Sequence, residues 1–171
     1  MKKLLLTGIV AVAVFTLIAG CAKMPDEKLM VKGKQMESEQ KFTEAIASYQ
    51  RLIEKFPTSP LVPEAMYQKA LVHANALQEY DIAVSGLNEV LDKFPENRVA
   101  SRSQFMIGFI YANSVGDTAK AGEAYRVFLK KYPNDELRPS VEWELKYLGK
   151  DIDDIPELTT LGDASEGEAK K

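Results

Sequence analysis

Phe42-Thr43-Glu44-Ala45-Ile46-Ala47-Ser48-Tyr49-Gln50-Arg51-Leu52-Ile53-Glu54-Lys55-Phe56-Pro57 decides the fold, because the same template returns at Tyr80 to Pro95 and at Thr118 to Pro133. Both steps are 38 residues long. The alignment stacks Ala45, Ala83 and Ala121, then Tyr49, Leu87 and Tyr125, then Leu52, Val90 and Phe128, then Ile53, Leu91 and Leu129. Each copy closes alike, on Lys55-Phe56-Pro57, Lys93-Phe94-Pro95 and Lys131-Tyr132-Pro133. Within a copy the apolar residues Phe42, Ala45, Ile46, Tyr49, Leu52, Ile53 and Phe56 keep a three-and-four spacing, which lines one side of a helix and cannot line one face of a strand. The final proline ends the helix, since its ring cannot continue the hydrogen-bond ladder and it drives the preceding residue out of the α region.

A second helical stretch precedes each template: about 26–39, 62–77 and 99–113. Ala65-Met66-Tyr67-Gln68-Lys69-Ala70-Leu71 aligns with Ser103-Gln104-Phe105-Met106-Ile107-Gly108-Phe109. Small residues at Gly33, Ala70 and Gly108 mark close helix approach, with Ala45, Ala83 and Ala121 expected opposite them. A repeated helical hairpin cannot bury its stripe alone, so neighbours must stack, with at least three repeats and polar caps expected. The expected cap runs from Pro139, tolerated in a first helical turn, to Leu148, and stops at Gly149. Val141, Leu145 and Leu148 are expected to face the third repeat.

These features resemble the tetratricopeptide repeat: a small residue, a following alanine, an aromatic, and a closing proline. The second and third copies carry one extra residue between the Gly/Ala and the Ala. The resemblance implies an all-α fold, an α-solenoid of about three helical hairpins plus a C-terminal capping helix. Domain 26–149 then divides into repeats 26–59, 60–97 and 98–135 and a cap helix at 139–148, with an acidic disordered tail at 150–171. The long helices ending in Phe-Pro or Tyr-Pro, most clearly Gly116-Asp117-Thr118-Ala119-Lys120-Ala121 through Lys131-Tyr132-Pro133, are similar to BamD-like outer-membrane assembly lipoproteins. They are similar also to the repeat region of the Tol-Pal-associated cell division coordinator.

The chain start carries an address. Lys2 and Lys3 precede an apolar run from Leu4 to Ala19, the layout of a secretory leader, and the run is too short for a good membrane span. Ile18-Ala19-Gly20-Cys21 resembles a lipobox, which implies a signal peptide at 1–20, lipidation of Cys21 and a linker at 21–25. The alternative is an ordinary leader cut at Gly20 or Ala22. Ala22, rather than an aspartate, resembles the pattern of lipoproteins sent to the outer membrane, where a Gram-negative host would hold the protein on the periplasmic face. Several acyl chains, at about 0.8 kcal/mol per buried methylene, make release from the bilayer negligible.

Composition narrows the chemistry. At 171 residues, 46% hydrophobic and 27% charged, the chain suits one modest domain. Its net charge of −3, made more acidic by loss of the leader's lysines, argues against nucleic acid. Cys21 is the one cysteine and His73 the one histidine, so zinc sites of His/His type have no support and a Ser-His-Asp triad is weak. The glycines form no dinucleotide fingerprint and no phosphate loop. Asp151, Asp153, Asp154 and Glu157 fail as a calcium loop, because Pro156 and Gly162 occupy the places of its glycine and its bidentate glutamate. Glu37 with Glu39, and Glu142 with Glu144, read as wet helix faces. The expectation is therefore a non-enzyme with no metal, no cofactor and no small-molecule substrate.

By the repeat resemblance, the first helices line a concave groove for a protein or peptide partner, through Tyr67, Leu71 and Asn75 in repeat two and Phe105, Phe109 and Asn113 in repeat three. Helix-to-helix packing is the competing role for the four apolar residues. Trp143 and Tyr147, off the cap helix stripe, form a second patch or pack against the tail or the third repeat. Ile152 through Ile155 and Pro156 form a possible docking motif. The function expected is a lipid-anchored scaffold in outer-membrane protein assembly or envelope maintenance. A pilotin-like or Tol-Pal-linked accessory is the alternative, and a carboxylate hydrolase is a reading from another class.

Overall fold

A computed structural model describes residues 25–151 and residue 155. Among these residues seven α-helices follow one another without a strand: α1 (Pro25–Ser38), α2 (Phe42–Lys55), α3 (Val62–Asn75), α4 (Tyr80–Lys93), α5 (Arg98–Ile110), α6 (Thr118–Lys131) and α7 (Arg138–Tyr147). Each helix packs on the next, and α3 also touches α5, so the first helices of successive hairpins form one layer. This is the all-α solenoid expected from the repeat.

The helix ends follow from the residues placed there. Phe56, Phe94 and Tyr132 leave the α region at φ −131°, −135° and −124°, each just before its proline. Pro63 and Pro139 lie in the first turns of α3 and α7. Asn97 and Asp117 cap α5 and α6 by accepting from the Val99 and Lys120 amides, each at 2.9 Å. The extra residue of repeat three is absorbed by a π-helical turn, Tyr111–Val115, that continues α5. In repeat two the Leu77 amide reaches back five residues to the Val72 carbonyl. Each hairpin turn holds one left-handed residue, Gln40, Gln78 or Gly116, again 38 apart.

The core is the periodic stripe itself. Ala45, Tyr49 and Leu52, with Ala83, Leu87 and Val90 and with Ala121, Tyr125 and Phe128, are all wholly buried. Ile53, Leu91 and Leu129, the fourth aligned column, are half-buried. On the first helices Ala65, Ser103 and Val141 occupy equivalent positions and are also wholly buried. The inclusion of Val141 gives α7, the last helix among the described residues, the place of the first helix of a fourth hairpin.

The expected pairing of Gly33 and Gly108 with alanines needs correction. Gly33 lies beneath the ring of Tyr49, and Gly108 beneath the ring of Tyr125, each so close that a methyl group would fall inside the ring. The glycines make room for an aromatic ring from the second helix. In repeat two the aligned residues are Ala70 and Leu87, and the glycine has moved to the other helix, where a Cβ on Gly86 would stand 3.3 Å from that of Ala70.

Candidate functional site

The layer of first helices carries a second periodic feature. Stepping 38 residues from Tyr67 gives Phe105 and then Trp143, and stepping from Leu71 gives Phe109 and then Tyr147. From Asn75 the same step gives Asn113 and Asp151. The six expected groove residues therefore share one face, and it continues onto α7. Trp143 and Tyr147, taken from sequence as a separate patch, are its third rung, their rings 5.1 Å apart. The 38-residue step carried past Pro139 was the signal that marked them.

The six residues are not equally available. Tyr67 is a correction: it is 5% exposed, and the Arg102 guanidinium covers its ring at 4.3 Å from the centroid. Arg102 in turn binds Glu64 at 3.1 Å, a bridge between equivalent positions of adjacent repeats. Burial pushes the Tyr67 phenol upward and the Arg102 charge partly draws it back. Leu71 is half-buried and packs against the core. Phe105 is half-buried between Phe109 and Tyr125, with ring centroids at 6.1 and 6.2 Å. Phe109 is 37% exposed and Trp143 is 42% exposed, so these two present aromatic surface to solvent. Asn75 and Asn113 are exposed, and the Asn113 amide donates to the Phe109 carbonyl at 3.1 Å.

The polar groups singled out from sequence hold hairpins together. His73 Nδ1 meets Glu79 Oε2 at 2.6 Å across the α3–α4 turn. Glu37 accepts the Tyr49 hydroxyl proton in a short bond, and burial pushes that phenol far up. The Tyr125 hydroxyl is buried without a hydrogen-bond partner at bonding distance, and it faces Glu144 on α7. Burial raises the Glu144 carboxyl above its ordinary value, so Glu144 departs from the wet face expected of it. Among the described residues no three His, Cys, Asp or Glu side chains come together as metal ligands. No described helix is long and apolar enough to cross a membrane. Cys21, the leader and most of the acidic tail lie outside the described residues, whereas Ile155 is 5% exposed.

The fold has solved counterparts. The structure titled as the TPR2AB-domain:pHSP90 complex of yeast Sti1 is similar with a TM-score of 0.58 and 26% identity, over 71% of this chain and 47% of that one. The present chain thus matches about half the length of that chain. No curated protein matches the sequence. The tetratricopeptide repeat family matches at residues 31–59, 64–97 and 102–135, one match per hairpin and together more than half of the sequence. The chain therefore belongs to the tetratricopeptide repeat family, whose fold is that of a protein-interaction scaffold.

Proposed function

We propose that this protein is a non-catalytic scaffold, anchored by an acylated Cys21 to the periplasmic face of an outer membrane. In this reading it holds a segment of a protein partner along the ladder of first-helix side chains, in the service of outer-membrane protein assembly or envelope maintenance. The observation that carries the binding role is the exposure of Phe109 and Trp143 on a face repeated every 38 residues. Large aromatics left in solvent at regular spacing give a partner apolar area, and they are over-represented among residues that dominate binding energy. The anchor rests on Lys2, Lys3, the apolar run and Ile18-Ala19-Gly20-Cys21. The similarity to BamD-like lipoproteins supports the assembly role.

Two substitutions and one crosslink test it in cells. Cys21→Ala should release the protein from the membrane fraction without detergent, and retention there would overturn the anchor. A photocrosslinking residue at Phe109 should trap a component of the barrel-assembly or envelope machinery, while one at Arg51, exposed on a second helix, should not. Equal trapping at both positions, or trapping at Arg51 alone, would overturn the groove.

A further inference from the structure

Among the described residues the exposed large apolar side chains are Val31, Leu77, Ile82, Phe109, Val115 and Trp143. Phe109 and Trp143 belong to the ladder. Leu77, Ile82 and Val115, at 38%, 52% and 46% exposure, all lie at the edge formed by the hairpin turns of repeats two and three. Leu77 and Val115 are 38 residues apart, each just before the left-handed residue of its turn. The repeat itself does not ask for them. The same step back from Leu77 and Ile82 gives Glu39 and Glu44, and the step forward from Ile82 gives Lys120. Single exposed aliphatics are ordinary on a protein surface, whereas several at one edge, bordered by charge, mark a place of contact.

Between these two turns lies an open cleft of about 420 Å³, lined by Gln78, Glu79, Tyr80, Asp81, Ile82 and Val115. The lining joins three apolar side chains to two acids and includes no cation. Among the described residues the Asp81 side chain has neither an ion pair nor a hydrogen bond, and Glu79 commits only Oε2, to His73. The cation in the first turn of α6, Lys120, is held by Asp117 at 3.3 Å and lies 5.1 Å from the centroid of the Tyr111 ring. We infer that this cleft docks a segment of a partner protein that carries a branched aliphatic side chain between lysines or arginines. The aliphatic group covers Ile82 and Val115, and the cations meet Asp81 and the second oxygen of Glu79. Charge complementarity selects this occupant, because an acidic segment would be repelled and a purely apolar one would desolvate Asp81 without pairing it. None of the lining residues belongs to the ladder, so the inference goes beyond the groove and gives the scaffold a second point of attachment.

The probe is the peptide acetyl-Gly-Lys-Leu-Lys-Gly-amide, titrated at millimolar concentration into the full mature chain in nanodiscs of zwitterionic lipid, with isoleucine and valine methyl groups read by NMR. The Ile82 and Val115 methyl signals should move along one binding curve while that of Ile53, near the far end of α2, stays in place. Ile82→Ser, a change at an exposed position, should abolish the movement at Val115. Asp81→Asn should weaken binding at least about threefold, the effect of losing one surface ion pair. The acidic counterpart, acetyl-Gly-Glu-Leu-Glu-Gly-amide, should leave both signals where they are. Still signals at Ile82 and Val115, an equal response to the acidic peptide, or equal affinity of the parent and Asp81→Asn chains would overturn the inference. So would movement of the two signals with protein concentration, or their broadening by paramagnetic lipid, in the absence of peptide, since the surface would then belong to a second copy or to the bilayer. The crosslink at Phe109 tests the ladder alone, and either outcome there leaves this result untouched.

Discussion

Repeats one and three solve helix contact differently from repeat two. Gly33 and Gly108 each take a tyrosine ring on bare backbone, whereas repeat two has Ala70 and Leu87 at the aligned positions and its glycine, Gly86, stands on the second helix against Ala70. The summed bulk at the seam is conserved while its division between helices is not. Close packing demands this, because a seam filled to crystal-like density accepts a larger group on one side only with a smaller one opposite. The two tyrosines differ again at their hydroxyls. That of Tyr49 donates to Glu37, and that of Tyr125 is buried without such a bond.

The comparison breaks first at the glycines. Gly108→Ala should cost about 3 kcal/mol by overpacking, measured by urea denaturation. Adding Tyr125→Leu, which copies the Ala70 and Leu87 pair, should recover much of the loss, and simple additivity of the two changes would refute the exchange of volume. Next come the hydroxyls. Tyr49→Phe should cost about 1.5 kcal/mol as its bond to a carboxylate is lost, while Tyr125→Phe should be neutral or stabilising in the same assay. The turns give a smaller effect. Gly116→Ala should cost about 1 kcal/mol, since alanine is strained at a positive φ that Gln40 and Gln78 already tolerate.

The smallest effect is a pH dependence at Glu144. Its folded pKa is raised by burial, so the protonated carboxyl favours the fold at pH values below the ordinary carboxylate range. That contribution disappears as pH rises through the raised value. Glu144→Gln should therefore raise the melting temperature at pH 7, and the gain should close as the pH falls below about 4. A gain that grew on acidification would refute the assignment.

Helix positions were legible because the 38-residue step and the terminal prolines are local signals. Stretches expected at 62–77 and 99–113 end as helix at Asn75 and Ile110, the remainder going into wider turns that absorb the extra residue. Which small residue meets which large one was not legible. Alanines and tyrosines of one second helix lie on the same stripe, and only helix rotation decides that Tyr49, rather than Ala45, stands on Gly33. The groove was legible as a face but not residue by residue. Tyr67 and Phe105 align perfectly, yet Arg102 covers only the former, through a contact between repeats. Ile155 was beyond reach, since an isoleucine in an acidic tail carries no periodicity to say where it returns.

The position held by Ala70 and Gly108 is taken on α7 by Lys146. A helix laid on α7 as α6 lies on α5, with a ring at the place of Tyr125, would meet the lysine stem where Gly108 offers bare backbone. Replacing that lysine with glycine and grafting a copy of Thr118–Lys131 after a short turn is thus the minimal edit for elongating the solenoid by half a unit.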